Sequence, residues 1–319
     1  MKNNTSTIAM YVLCMAVSGV LLFSQASPQA SVQTVIRIDR ENAHLGGGVA
    51  LSPDGRLLAF VGNDNQLYLH NIDTAQEKAL LEEAEPGIDV FSNPEFSSDG
   101  KSILFAASGG TRYYPSNIFS IHLDGSGLQP LTKAKQLPEG DDAPLYAEYF
   151  QSAKQSPDGT KVLLAIYDSV AEKEKVGMLD TNNMQVSYLA EGRPISWSHD
   201  GQEIYYSQNG VTKRLNLKTR ESQVLNNLNG RIIGSNGDEF VIDQNGISTF
   251  ATLEDNSVTV RPWNVPSAVS ISHLQKNTGK PLVEQLALTS VRWSSTARLV
   301  LDYQNNTMER IEVIESTVR

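Results

Sequence analysis

The chain has 319 residues, 40% of them apolar and 19% charged. That balance excludes a disordered polymer and supports a sizeable core. The formal net charge is −10, and Lys and Arg are scattered, so a nucleic-acid face and an anionic-membrane face are both excluded.

In chain order, the first feature is a leader. Lys2 supplies a positive start, residues 8–23 are mostly apolar, and Ser24-Gln25-Ala26 offers the small residues a signal peptidase reads. Cleavage is expected after Ala26, leaving residues 27–319 as one domain. The apolar run of 16 residues falls short of the roughly 20 needed to span a bilayer. An uncleaved leader would instead anchor the protein to the inner membrane. The single cysteine, Cys14, lies inside the leader behind Tyr11-Val12-Leu13, which is not a lipoprotein pattern. The mature chain then holds no cysteine, hence no disulfide, thiolate metal site or cysteine nucleophile. Export without disulfides points to a periplasmic or secreted protein.

Next comes a repeat. Ser52-Pro53-Asp54-Gly55, Ser98-Asp99-Gly100, Ser156-Pro157-Asp158-Gly159 and Ser198-His199-Asp200-Gly201 each precede an apolar, β-forming run. Ser235-Asn236-Gly237 and Ser294-Ser295-Thr296-Ala297 read as decayed copies. Pro presets φ at the second turn position, Asp bonds the backbone just beyond it, and Gly accepts a positive φ. Each unit is thus predicted to be a tight turn between two strands. Further strands follow at 66–72 and 77–81 in the first copy and at 117–123 and 128–131 in the second. Four short strands per 36–60 residues is the signature of a β-propeller blade. The predicted fold is all-β: six blades, alternatively seven, each a four-stranded antiparallel sheet.

The last copy has strands at 291–293, 299–303 and 310–314 but lacks a fourth. Residues 32–38 have no partner in their own copy. They are expected to pair with the last blade as its outer strand and close the ring. Residues 263–287 fit the pattern worst and read as a long loop or part of a seventh blade.

These turns, together with Asn117-Ile-Phe-Ser-Ile-His-Leu-Asp-Gly-Ser-Gly-Leu-Gln-Pro-Leu-Thr132, resemble the TolB-type propeller repeat, a relative of WD-type repeats. The resemblance covers about residues 32–319. It departs from that family in leaving no room for an α/β domain before the propeller. It implies a propeller that binds a protein or peptide at one mouth of its central channel. Related propellers also lid hydrolases, but no Gly-x-Ser-x-Gly elbow occurs in the chain.

Chemistry-bearing residues are sparse. Of five histidines, His70 and His122 lie on third strands one residue out of phase, His199 sits in a turn and His44 in an entry loop. They are not expected to converge on a metal. The turn aspartates are dispersed, one per blade, and unsuited to paired acid–base work. The acidic run Glu139-Gly140-Asp141-Asp142 lacks calcium-loop spacing. No catalytic residue, metal or cofactor is expected.

Three segments look decorated for recognition: 109–115, with Arg112, Tyr113 and Tyr114; 137–150, with Tyr146, Glu148 and Tyr149; and 167–175. Residues entering the innermost strands should approach the channel mouth, namely His44, Asp89, Asn93, Glu148, Arg193, Arg231 and Arg292. The sequence therefore predicts an exported, non-catalytic propeller that binds a protein or peptide of the cell envelope. The alternative is a metal-dependent lyase or lactonase-like propeller enzyme acting on saccharides.

Overall fold

The computed structural model describes residues 32–41, 48–62, 64, 66–81, 88, 90–108, 116–137, 146–226, 228, 230–254, 257–262, 268–274, 281–294, 298–304 and 308–316. The leader and the segment bearing Arg112, Tyr113 and Tyr114 lie outside these residues, as do His44 and Asp89. All described elements are strands. No helix among the described residues is long and apolar enough to cross a membrane.

The chain enters through β1 (Val32–Glu41). Four separate antiparallel sheets of four strands follow. The first is β2 (Val49–Leu51), β3 (Leu57–Val61), β4 (Leu67–Asn71) and β5 (Glu77–Ala79). The second is β6 (Val90–Phe96), β7 (Ser102–Ser108), β8 (Asn117–His122) and β9 (Gln129–Pro130). The third is β10 (Glu148–Gln155), β11 (Lys161–Asp168), β12 (Lys173–Asp180) and β13 (Gln185–Glu191). The fourth is β14 (Arg193–Trp197), β15 (Glu203–Gln208), β16 (Val211–Asn216) and β17 (Ser222–Val224).

The remaining strands share one sheet of nine. It holds a fifth set, β18 (Arg231–Asn236), β19 (Glu239–Gln244), β20 (Ile247–Glu254) and β21 (Ser257–Pro262). It also holds β22 (Ala268–Leu274), β23 (Pro281–Trp293), β24 (Arg298–Gln304) and β25 (Met308–Ser316). One parallel bridge, Gly234 to Val291, joins β18 to β23. The strand β1 pairs antiparallel with β25, from Val32 opposite Ser316 to Glu41 opposite Met308. The first described strand is therefore the outer strand of the last set, the pairing expected for residues 32–38.

Two expectations change. Within 263–287 the described residues, 268–274 and 281–287, are strand rather than loop. β22 folds back on the first half of β23, from Leu274–Pro281 to Ala268–Ala287, as a hairpin extending the last set. Residues 167–175 are not a decorated interruption either. β11 and β12 are eight residues each, and only 169–172 turn between them.

The turns explain the repeat. Ser52, Ser156 and Ser198 each donate to the Asp two residues on, at 2.6–2.7 Å. Each accepts the backbone N–H five residues on, at 2.9 Å. In the second sheet Ser97 does both, donating to Asp99 at 2.7 Å and accepting from Ser102 at 2.9 Å. The true second copy is thus Ser97-Ser98-Asp99-Gly100, with Ser98 standing where Pro stands elsewhere. Gly55, Gly100, Gly159 and Gly201 hold φ of 69–74°, where a side chain would be strained.

The second turn residue has another task. Pro53 lies 3.5 Å from the point where a Cβ on Gly100 would sit, Ser98 lies 3.3 Å from that point on Gly159, and Pro157 lies 3.4 Å from it on Gly201. Each turn therefore stacks on the glycine of the next.

The core lies between sheets. Phe91, Phe96 and Phe105 pack on Ala59 and Leu69 of the first sheet. Phe150 and Leu164 pack on Leu104 and Ile118 of the second. Trp197 and Tyr206 pack on Leu163 and Val176 of the third, and Phe240 and Ile242 on Tyr205 of the fourth. Leu288 and Tyr303 meet Ile233 and Val241. In the same way, Ile311 and Val313 meet Val49, Leu58 and Phe60 of the first sheet. Arg298 reinforces that last contact, bonding the Gly55 carbonyl at 2.9 Å, Asp73 at 3.1 Å and Glu315 at 2.8 Å.

Candidate functional site

Five inner strands share one irregularity. A register shift falls between Ser92 and Glu95, Phe150 and Ser152, Pro194 and Ser196, Ile232 and Gly234, and Leu288 and Ser290. A β-bulge bends its strand and re-aims the side chains around it. In β6 the bulge sets Asn93 at φ 50°, a conformation Asn tolerates better than most residues. Its amide donates to the Gln151 carbonyl at 2.9 Å, tying this bulge to that of β10.

The bulges surround a cavity of 220 Å³. Its walls come from all five strands: Asn93 and Glu95 on β6, Ser152 and Lys154 on β10, Pro194 on β14, Ile232 and Ser235 on β18, and Arg292 on β23. The cavity thus lies where the first strands of the second to fifth sets and β23 approach one another. Stacking the copies on their turn serines puts Glu95, Lys154 and Arg292 at one repeat position, two residues before Ser97, Ser156 and Ser294. Ala50 and Ser196 fill it in the first and fourth sheets, and Ser235 lies opposite Phe240 as Ser196 lies opposite Tyr205.

Lys154 is held from two sides. The Trp197 indole donates to its carbonyl at 2.9 Å, and its ammonium donates to the Ser235 hydroxyl at 3.3 Å. Loss of water drives its pKa down to about 8; Glu95 opposes that shift and Arg292 adds to it. Arg292 is half-buried, and its Nε is shut off from water with no hydrogen-bond partner among the described residues. Among the described residues its Nη1 reaches the adjacent Val291 carbonyl, at 3.4 Å. The cavity holds two cations against one carboxylate, inside a chain of net charge −10.

Of the residues singled out from sequence, the structure places Asn93 and Arg292 in this wall. The other described ones stand elsewhere. Tyr146 bridges to Gln136 and packs on the cluster between the second and third sheets. Glu148 opens β10 and accepts the Tyr188 hydroxyl. Tyr149 lies opposite Tyr167. Arg193 opens β14 and pairs with Glu174. Arg231 opens β18, is exposed, and lies opposite Asp243.

Around Glu148 a charged network covers one end of the third sheet. Lys175 pairs with Asp168 at 2.5 Å and lies 4.9 Å over the Tyr188 ring. Lys173 meets Glu191 at 2.9 Å. Burial and the Glu148 carboxylate raise the Tyr188 pKa well above its ordinary value.

Glu95 and Lys154 were missed from sequence. The available signal was a charged residue at an inner-strand position that neighbouring copies fill with Ala or Ser.

No three His, Cys, Asp or Glu side chains among the described residues are grouped to hold a metal. His70 is buried against Glu77 at 3.2 Å, while His122 and His199 are exposed.

No family model matches the chain, and no curated protein does. Among solved structures, it is similar to TolB from Acinetobacter baumannii, with 19% identity and a TM-score of 0.48 over 69% of this chain and 54% of that one. It is similar to a putative TolB from Agrobacterium tumefaciens, with 16% identity and a TM-score of 0.47 over 81% of this chain and 89% of that one. A nidogen/laminin complex gives 11% identity and a TM-score of 0.45 over 67% and 74%. The match thus spans about half the length of the Acinetobacter protein. None of the three reaches a TM-score of 0.5, so the propeller reading rests on this chain's own strand order.

Proposed function

We propose that this protein is an exported, non-catalytic β-propeller that binds a protein or peptide of the cell envelope at one mouth of its axial cavity. In this reading residues 1–26 are a cleaved signal, and residues 27–319 form one domain of six blades in a closed ring. Among the described residues six clusters lie between sheets, which favours six blades over seven, one of them setting Ile311 and Val313 against Val49 and Phe60.

The observation that carries the binding reading is the cavity itself. Five bulged inner strands converge on it and bring polar and charged groups to one place, as ligand sites do. At 220 Å³ it is smaller than the roughly 300–1,000 Å³ of drug-sized pockets. It suits one inserted side chain of a larger partner better than a sugar polymer. Arg292 lies in the cavity wall, and the partner's remaining contacts are proposed at Arg112, Tyr113, Tyr114, Tyr146, Glu148, Tyr149, Arg193 and Arg231.

The test is peptide-display selection on the purified protein, repeated with Ser152→Tyr, which fills the cavity. Peptides captured by the first and not by the second, with thermal midpoints matched, are the expected result. Capture that ignores the filled cavity would sink the axial-mouth reading.

A further inference from the structure

The binding reading leaves the chemistry of the inserted group open, and the inner strands narrow it. Two cations, Lys154 and Arg292, face one cavity with one anion, Glu95. Glu95 can neutralise one of them. Arg292 then remains with an Nε that is cut off from water and bonded to no described residue, and its Nη1 is 3.4 Å from a carbonyl. Buried polar groups are nearly always satisfied, so an orphan marks a missing partner. A guanidinium presents donors in a planar fork that a carboxylate fits with two parallel bonds.

We infer that the axial cavity is a carboxylate site, in which Arg292 holds the anion by its fork and Lys154 neutralises it, so that the partner inserts an acidic group. This rests on the binding reading for the identity of the occupant, a peptide. Ser235 positions Lys154 at 3.3 Å from the other side of the cavity. Glu95 is the counter-charge that rejects a dianion. The carboxylate could come from an acidic side chain or from a chain's C-terminus, and both share the recognition chemistry.

The experiment titrates the purified protein by calorimetry with three N-acetylated peptides: Ac-Gly-Glu-Gly-amide, Ac-Gly-Gln-Gly-amide and Ac-Gly-Gly-Gly with a free C-terminus. The Glu peptide or the free C-terminus should bind at least tenfold more tightly than the Gln peptide, and which of the two does so names the source. Binding near pH 8 should draw up to about half a proton per site, since an added anion raises the Lys154 pKa. That uptake should vanish at pH 6.

Arg292→Gln should erase the preference, Arg292→Lys should keep part of it, and Lys154→Met should abolish the proton uptake. Failure of both the Glu peptide and the free C-terminus to outbind the Gln peptide, or displacement by chloride at the same concentration, overturns the carboxylate site. Display peptides that still need an open cavity would then leave the binding reading standing. Intact Glu preference with no cavity-dependent display peptides would do the reverse.

Discussion

The first four sheets and the last two sets hold their neighbours in different ways. In the first four, a Ser–Asp pair clamps each turn, and the residue between them stacks on the next glycine. In the fifth set the turn shortens to Gly237-Asp238, and the Ser235 hydroxyl reaches across to the Ile195 carbonyl at 3.3 Å. The fifth and sixth sets instead meet through a backbone bridge, Gly234 to Val291. Ser294 keeps part of the older pattern, accepting from the Arg298 N–H at 3.2 Å. Between the fifth and sixth sets the backbone contact thus lies on the inner strands, where Arg292 lines the cavity, while the sixth set still reaches a turn of the first through Arg298 and the Gly55 carbonyl.

The largest test of this contrast is Gly234→Val. A Cβ there would sit 2.8 Å from both the Val291 carbonyl and its side chain. Forcing the strands apart should cost about 3 kcal/mol, read as a lowered urea midpoint. Gly210→Val, in a turn with open space around it, should lose less, through its φ of 75° alone.

Next is Lys154→Met. The native Lys pKa, about 8, lies below the ordinary 10.5, so below pH 8 the folded state bears a desolvated charge. Stability should rise as pH climbs from 8 to 10.5, because only the unfolded chain still binds that proton. The variant should lack this rise and be about 2 kcal/mol more stable at pH 7, as read by thermal denaturation at both pH values.

Removing one turn clamp with Ser156→Ala should cost about 1 kcal/mol. Ser235→Ala, outside any clamp, should cost clearly less in the same urea titration. A gain in sensitivity at Ser235 would erase the distinction between the two regions.

The smallest effect concerns acid. The Ser156 hydroxyl, with the Thr160 N–H, holds Asp158 down to about 2, and similar partners lower Asp99 and Asp200. A depressed carboxylate stabilises the fold above its ordinary pKa of 3.8. That contribution fades as pH falls through the folded value, here between about pH 4 and 2. Asp158→Asn should flatten the acid limb slightly, as read by acid denaturation between those pH values.

The turns were legible from sequence because their physics is local: a hydroxyl, a carboxylate and a positive φ within four residues. The β1–β25 pairing was legible for another reason, since the last copy lacked one strand and residues 32–38 had no other partner. The axial cavity was not legible in the same way. Glu95, Lys154 and Arg292 are 59 and 138 residues apart, and nothing within one copy sets them off. Only superposing copies on the turn serine aligns them. The hairpin of β22 with β23 was missed because β23 runs 13 residues through two roles, and no repeat marker divides them. Residues 167–175 were misread because long paired strands with a short turn look like an insertion when shorter copies set the expectation.

The pairing of β1 with β25 has a consequence in time. Arg37 meets Glu312 across 275 residues, so the first described strand to be synthesised must wait for the last. Until then β1 has no edge to complete. The intervening sheets, built from hairpins between sequence neighbours, can form as they arrive. The closing step carries the entropy of the longest loop in the molecule, which grows only slowly with length but sets a late, non-local event in folding. Delivery of the whole chain into one compartment is thus a condition of its final form.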